Sequence, residues 1–448
     1  MNGLRNRMRK ASMSSAVLIV LALALAPVPA PADGKPVEVG ALRIALGAAC
    51  AGLPEGHSEL LGGFPGAKLL EARVTAFRGQ PGLAIHAVLL ESGAELRLSK
   101  IFPLGRLRRV NAEYHGVISG QQVRPELAVT ADGQCQVREA RRIIYDDAGK
   151  PASLRIFGPD LRKIIAEEPL NPAVPPSADP GADPGGAVVA VVDTGVNYLL
   201  DVIARRLARD GAGKILGVDY WDQDARPFDV DTGRSAFFPL HHGTAVASIV
   251  LREAPAARII PYRFPRSEMS RMGELVADAD QKGAIIINMA MGSSKHGDWE
   301  AFEAAARARP HMLFIISAGN DGRDIDKRPV YPAALDLGNI LTVTSADAFG
   351  RLARGSNWGR KAVDIMAPGE KVAVVDHRGV AGQASGSSFA VPRIAALAAR
   401  LLAKNPTWRG PDLKRAILSR AKPSLRHPDL PLKHGWIPDP MDDFLPGR

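Results

Sequence analysis

Between Ala187 and Ser345 the chain carries a succession of short, largely apolar runs, AVVAVV, KILGVDY, ARIIPYRF, AIIINMA, MLFIIS and NILTVTS, with helix-like segments between them. A strand with one wet face alternates polar and apolar residues, whereas a run without polar positions is covered on both faces. Such strands alternating with helices predict an α/β fold: a parallel sheet with helices on both faces. In sheets of this kind the chemistry gathers beyond the carboxyl ends of the strands. Asp193, directly after AVVAVV, and Asn320, just after MLFIIS, both fall there.

The chain ahead of this region reads differently. From Asp33 to Leu170, alternating stretches such as LAIHAVLL, AELRLSKI and ASLRIF are broken by turn signals at Ala131–Gly133 and Asp147–Pro151. They predict a small β-rich N-terminal domain over 33–170. A Pro/Gly-rich linker, 171–186, separates it from a second domain, 187–448. Residues 1–32 hold Arg5, Arg7, Arg9 and Lys10, then an uncharged run from Ala16 to Ala26, then Ala30 and Ala32. This is the pattern of a signal peptide cut after Ala32. The rival, a retained anchor, would need a short apolar run to extend through Pro27 and Pro31. The expectation is an exported protein, secreted or periplasmic, with no stable membrane span after cleavage.

Export bears on the two cysteines, Cys50 and Cys135. In an oxidising compartment an isolated pair reads first as a disulfide, with two buried thiols as the alternative; no second pair of ligands beside either suggests a metal site. The formal charge of +10 includes the four basic residues of the leading segment, and no Lys/Arg run is interleaved with aromatics. Nucleic acid is therefore not expected as a partner.

Three further segments carry residues fit for acyl transfer. Asp193 ends a buried strand and is followed by Thr194 and Gly195; its other reading is a cap for the segment after it. A second Asp-Thr-Gly, at Asp231, raises an aspartic protease, but it follows no apolar strand and the gap leaves no room for a second lobe. His242 opens HGTAVASIVL, whose Ala245, Val246, Ile249 and Val250 form one helical face, so its imidazole stands at a helix N-terminus. Ser388 lies in SGSSFAVP ahead of the small-residue helix RIAALAARLLAK, with Pro392 expected in the first turn, where a missing N–H is harmless. Each residue alone is as readily structural. Together they form the set needed for a serine nucleophile: a base to take its proton and a carboxylate to orient that base.

In their order and surroundings these segments resemble the subtilisin-like serine proteases, the subtilase or peptidase S8 family, from about Ala187 to Arg420. VVDTGV, HGTAVAS and SGSSFAVPRIAA resemble the aspartate, histidine and serine segments; SAGNDG, INMAMG, YPA at Tyr331, SNWG at Ser356 and APG at Ala367 follow in the family's order. The resemblance implies an exported serine endopeptidase acting through an acyl-enzyme, with Ser388 as nucleophile, His242 as base, Asp193 as its orienting carboxylate and Asn320 in the oxyanion hole. It implies that Ala290, Met291, Gly292, Ser317, Ala318 and Gly319 line a cleft for a peptide or protein substrate. No cofactor is implied for the chemistry. Structural calcium is common in the family, but the acidic loop with Asp219, Asp222, Asp224, Asp229 and Asp231 matches no EF-hand spacing and reads as solvated, so no metal ligand is assigned.

Departures from the family pattern are Ser387 for Thr, Phe389 for Met, Arg393 for His and Ala245 for a second His. None removes a catalytic atom. Phe389 either narrows the leaving-group side or repacks against the core. The stretch GWIPDP from Gly435 is placed against the body. The N-terminal domain is either an inhibitory propeptide, and so a partner of the catalytic domain, or a retained module, the reading preferred here. The functional alternative is a catalytically silent binding or scaffold protein of the cell envelope on the same fold.

Overall fold

The computed structural model describes residues 36–51, 57–77, 80–120, 122–175, 183–424 and 432–442. The signal-like segment 1–32 lies outside these, as do residues 176–182 of the proline-rich linker. Two compact units emerge: the chain to Arg142 with Ile156–Ala166, and Ile143–Arg155 with Glu167–Arg448.

The first sheet has eight strands in sequence order: β1 (Lys68–Phe77), β2 (Gln80–Leu89), β3 (Glu95–Ile101), β4 (Arg109–Ser119), β5 (Gln122–Asp132), β6 (Val137–Tyr145), β7 (Pro151–Phe157) and β8 (Ile164–Pro169). From β1 to β6 each strand pairs antiparallel with the next. The β-rich reading therefore holds, with two additions ahead of the sheet: the short helix α2, His57–Gly62, and before it α1, Pro36–Ala51. Its Val39, Leu42, Ala45, Leu46 and Ala49 pack on Leu96, Leu98, Val110, Ala112, Leu127 and Val129. Their spacing is helical, a local pattern passed over beside the alternating stretches that dominate the rest of 33–170. In the last turn of α1, Cys50 is bonded to Cys135, 85 residues on.

The second unit holds a seven-stranded parallel sheet. Its strands are β9 (Val188–Asp193), β10 (Val218–Asp219), β11 (Arg258–Arg263), β12 (Ile286–Met289), β13 (Leu313–Ser317), β14 (Ile340–Ala346) and β15 (Ile365–Pro368), ordered β10-β11-β9-β12-β13-β14-β15. Successive residues of β9 show why the runs lack polar positions. Val189 and Val191 face one cluster with Val246, Val250, Ile394 and Leu397, while Val188, Ala190 and Val192 face another with Met272, Leu275, Val276 and Phe302. The first cluster contains α4 (Gly243–Glu253) and α7 (Ser387–Lys404); the second contains α5 (Met272–Gln281) and α6 (Glu300–Arg307). Between β15 and α7 the chain also forms an antiparallel hairpin, β16 (Val372–Val375) and β17 (Ala381–Ala384), which runs into the serine segment.

Two details differ from expectation or extend it. Pro392 is the sixth residue of α7, in its second turn rather than its first, because the helix begins at Ser387. The proline withholds the N–H that would bond the Ser388 carbonyl. The Gly435 stretch does dock: Met366 N donates to Gly435 O (2.9 Å) and Ile437 N to Met366 O (2.9 Å), alongside β15.

Candidate active site

Asp193 is the last residue of β9 and is 2% exposed. His242 caps the N-terminus of α4, and Ser388 is the second residue of α7. The two helices pack on the same face of the sheet, which brings both N-termini to the carboxyl end of β9. Close approach is possible because position 243 is glycine: a Cβ there would lie 2.0 Å from the Gly195 carbonyl oxygen.

His242 Nδ1 faces the Asp193 carboxylate, 2.8 Å from Oδ1 and 3.0 Å from Oδ2. The proton of the neutral ring must therefore sit on Nδ1, leaving the Nε2 lone pair toward the cleft. Burial pulls the imidazole pKa down, but the charge and hydrogen bond of Asp193, with the charge of Asp229, outweigh it and hold it above the ordinary value. Ser388 Oγ donates to the Ala290 carbonyl at 3.3 Å; among the described residues it has no hydrogen bond to His242. Phe389 stands 5.5 Å, ring to ring, from His242 and also packs with Ala245, Ile249, Val372 and Val374. A small residue at 245 and a large one at 389 thus share one cluster, so both expected roles of Phe389, narrowing and repacking, have a physical basis. Arg393 takes a different partner altogether, the buried Glu253 carboxylate at 2.9 and 3.1 Å.

Asn320 follows β13. Its Oδ1 accepts from Ser387 N at 2.8 Å and Ser387 Oγ at 3.0 Å, and Ser387 Oγ lies 2.7 Å from Ser317 Oγ. Gly386, at φ +135°, makes room: a Cβ there would sit 3.2 Å from Asn320 Oδ1. With its oxygen engaged, the Asn320 amide is fixed with Nδ2 as its remaining donor. Asp193, His242, Asn320 and Ser388 all line one cleft of about 790 Å³, with Ala290, Met291, Gly292, Ser317 and Gly319. Ala318 is turned inward instead, fully buried, with its N–H on Val343 O at 3.0 Å and its carbonyl accepting from Asn357 Nδ2 at 2.8 Å.

Sequence reasoning passed over Asp229, counting it with a solvated loop. It is 1% exposed, and its carboxylate accepts from Thr194 Oγ1 (2.5 Å), His242 N (3.1 Å) and Thr244 N (2.9 Å). Thr194 Oγ1 in turn accepts from Gly243 N at 2.9 Å. Asp229 ties the aspartate and histidine segments together, a role that no local pattern signals because its partners lie 13 to 35 residues away. The loop's other acids are also occupied: Asp219 and Asp222 by Arg263, Asp224 by Arg226 and Asn171, Asp231 by Arg266. Carboxylates turned to arginines and backbone N–H groups do not form a calcium cage, so the acidic loop does not fit the ion.

Comparisons with known proteins place the second unit in a family. The subtilase family profile (peptidase S8) matches residues 185–436, more than half of the chain. The chain belongs to that family. It is 29% identical over 231 residues to the thermophilic serine proteinase of Bacillus sp. (strain AK1), covering 48% of this chain and 52% of that protein. It is 30% identical over 241 residues to the cell wall-associated protease of Bacillus subtilis (strain 168), covering 51% of this chain and 25% of that one. The chain thus spans about half, or less, of the length of these curated relatives. A solved cold-adapted subtilisin-like serine proteinase aligns at 23% identity and a TM-score of 0.47, over 60% of this chain and 93% of its own.

Proposed function

We propose that this chain is an exported serine endopeptidase that hydrolyses peptide bonds through an acyl-enzyme. The observation that carries the reading is the pairing of Asp193 with His242 at 2.8 Å in one cleft with Ser388 and an Asn320 held by its oxygen. Rotation of the Ser388 side chain about Cα–Cβ directs Oγ from the Ala290 carbonyl to His242 Nε2. The ring then takes the hydroxyl proton as Oγ attacks the substrate carbonyl, and Asp193 stabilises the imidazolium. Asn320 Nδ2 and the Ser388 N–H, at the start of α7, donate to the oxyanion. The proton returns from His242 to the leaving amine, and water repeats the sequence on the acyl-enzyme. Substrate backbone lies along Ala290–Gly292, Ser317 and Gly319 as an added strand; Ala318, whose backbone is bonded to Val343 and Asn357, takes no part.

Export rests on the pattern of residues 1–32, which lie outside the described residues, and places the enzyme outside the cytoplasm, secreted or periplasmic. No helix among the described residues is long and apolar enough to cross a membrane. The β-rich domain is read as a retained module separated from the catalytic domain by 171–186. No cofactor enters the chemistry, and the partner is a peptide or protein substrate. A fluorophosphonate probe tests the reading: it should label Ser388 in the unsubstituted chain and nothing in Ser388→Ala. Absence of labelling and of peptide hydrolysis in the folded, unsubstituted protein would instead favour the silent scaffold.

A further inference from the structure

Immediately before His242, and unused in the reaction above, stands a second histidine. His241 Nδ1 lies in short hydrogen-bond contact with the Asp229 carbonyl, so that nitrogen carries the proton and Nε2 keeps a free lone pair. Its ring is stacked on that of His377, with centroids 3.6 Å apart and planes 15° from parallel. His377 sits at the tip of the β16–β17 hairpin, held there by its own carbonyl, which accepts from Asn197 Nδ2. Its Nε2 is buried and has no hydrogen-bond partner. A buried, unpaired imidazole nitrogen has given up its hydrogen bond to water and is costly unless something else completes it.

The third member is Glu168, in the same compact unit as both histidines. One ligand atom from each of Glu168, His241 and His377 lies within 4.8 Å of the other two. We propose that Glu168, His241 and His377 form a binding site for a zinc-class transition-metal ion. Two neutral imidazoles and one carboxylate suit Zn²⁺ and its neighbours in the first transition row, not the all-oxygen preference of Ca²⁺ or Mg²⁺. Ligand atoms on one tetrahedral zinc stand about 3.4 Å apart and the ion lies in the plane of each imidazole, so binding turns the two rings out of their stack until both lone pairs converge. The outer shell is in place as well: a metal-bound histidine commonly donates its other N–H to a carbonyl, as His241 does to Asp229.

The site would fasten the hairpin tip to the residue preceding His242. Asp229 joins the two, since its carbonyl holds His241 while its carboxylate holds the His242 N–H. Metal binding is read directly, so its failure is separate from any failure of the proteolytic reading. The full-length chain carrying Ser388→Ala, to prevent self-digestion, is stripped with chelator and titrated with Zn²⁺ against a colorimetric zinc indicator. One ion per chain is expected. His377→Phe and Glu168→Gln should each weaken binding by roughly tenfold or more, whereas His311→Phe, whose ring pairs with Asp280 at 2.8 Å, should leave it unchanged. Should His377→Phe misfold, as judged by near-ultraviolet circular dichroism, His377→Gln takes its place. Unchanged zinc affinity in the folded His377 and Glu168 variants overturns the proposal, as does the absence of zinc uptake by the parent chain.

Discussion

At the scale of single residues, the site depends on how tightly Asn320 is aimed. Asn320→Ala removes a donor whose bond to the oxyanion forms only in the transition state, so kcat should fall by roughly 10² to 10³, the loss known from subtilisin, with KM little changed. Ser387→Ala leaves that donor present but takes away one of the two bonds on Asn320 Oδ1, the one from the hydroxyl at 3.0 Å. Its cost should be smaller, about fivefold to tenfold in kcat, and Ser387→Thr should restore the activity; a rise in KM alone would mean that the hydroxyl positions substrate instead. The base supplies a second prediction at this scale. In the proposed mechanism His242 acts only when neutral, and Asp193 and Asp229 favour its charged form against the opposing pull of burial. With the pKa raised, the inactive protonated form persists to higher pH, so kcat/KM measured in chelator should begin its acid-side decline above the ordinary imidazole value of about 6.5. A decline centred below that value would show that burial dominates.

Elements come next, and here the α4–α7 contact is the informative one. Glu253, at the end of α4, is 4% exposed and receives Arg393 of α7 and Arg252. Glu253→Ala would leave Arg393, whose side chain is 16% exposed, without its carboxylate. Urea unfolding should show a loss of up to about 3 kcal/mol. Because an apolar pair of similar volume can replace a buried ion pair at little cost, Glu253→Leu with Arg393→Leu should recover most of it. The same contact shows where reading a sequence stops. The strands were legible because their apolar runs are local, and β15 was missed because IMAP offers only four residues. Asp193, His242 and Ser388 were legible through short segments in a fixed order. Asp229, Glu253 and the stacked histidines were not, since each acquires its role from partners far along the chain. Pro392 was misplaced by a turn because Ser387 starts the helix and no capping side chain marks that start.

On the scale of the whole molecule, the sole disulfide belongs to the first unit, where it closes a loop of 85 residues. Cys135→Ser should destabilise that unit by about 4 kcal/mol and leave the transition of the second, which contains no cysteine, where it was; calorimetry showing both transitions shifted together would mean that the units unfold as one. A different consequence follows from where the reactive side chains lie along the second unit. Asp193, Asp229, His242, Asn320 and Ser388 are spread from position 193 to position 388 of the chain, and Ser388 arrives on a helix that packs on one face of the sheet. Contacts between such distant positions close late, after the intervening chain has collapsed. A nascent or partly folded chain therefore holds an aspartate and a histidine but not the proposed nucleophile beside them, so the three can meet only once the chain has been made and folded through α7.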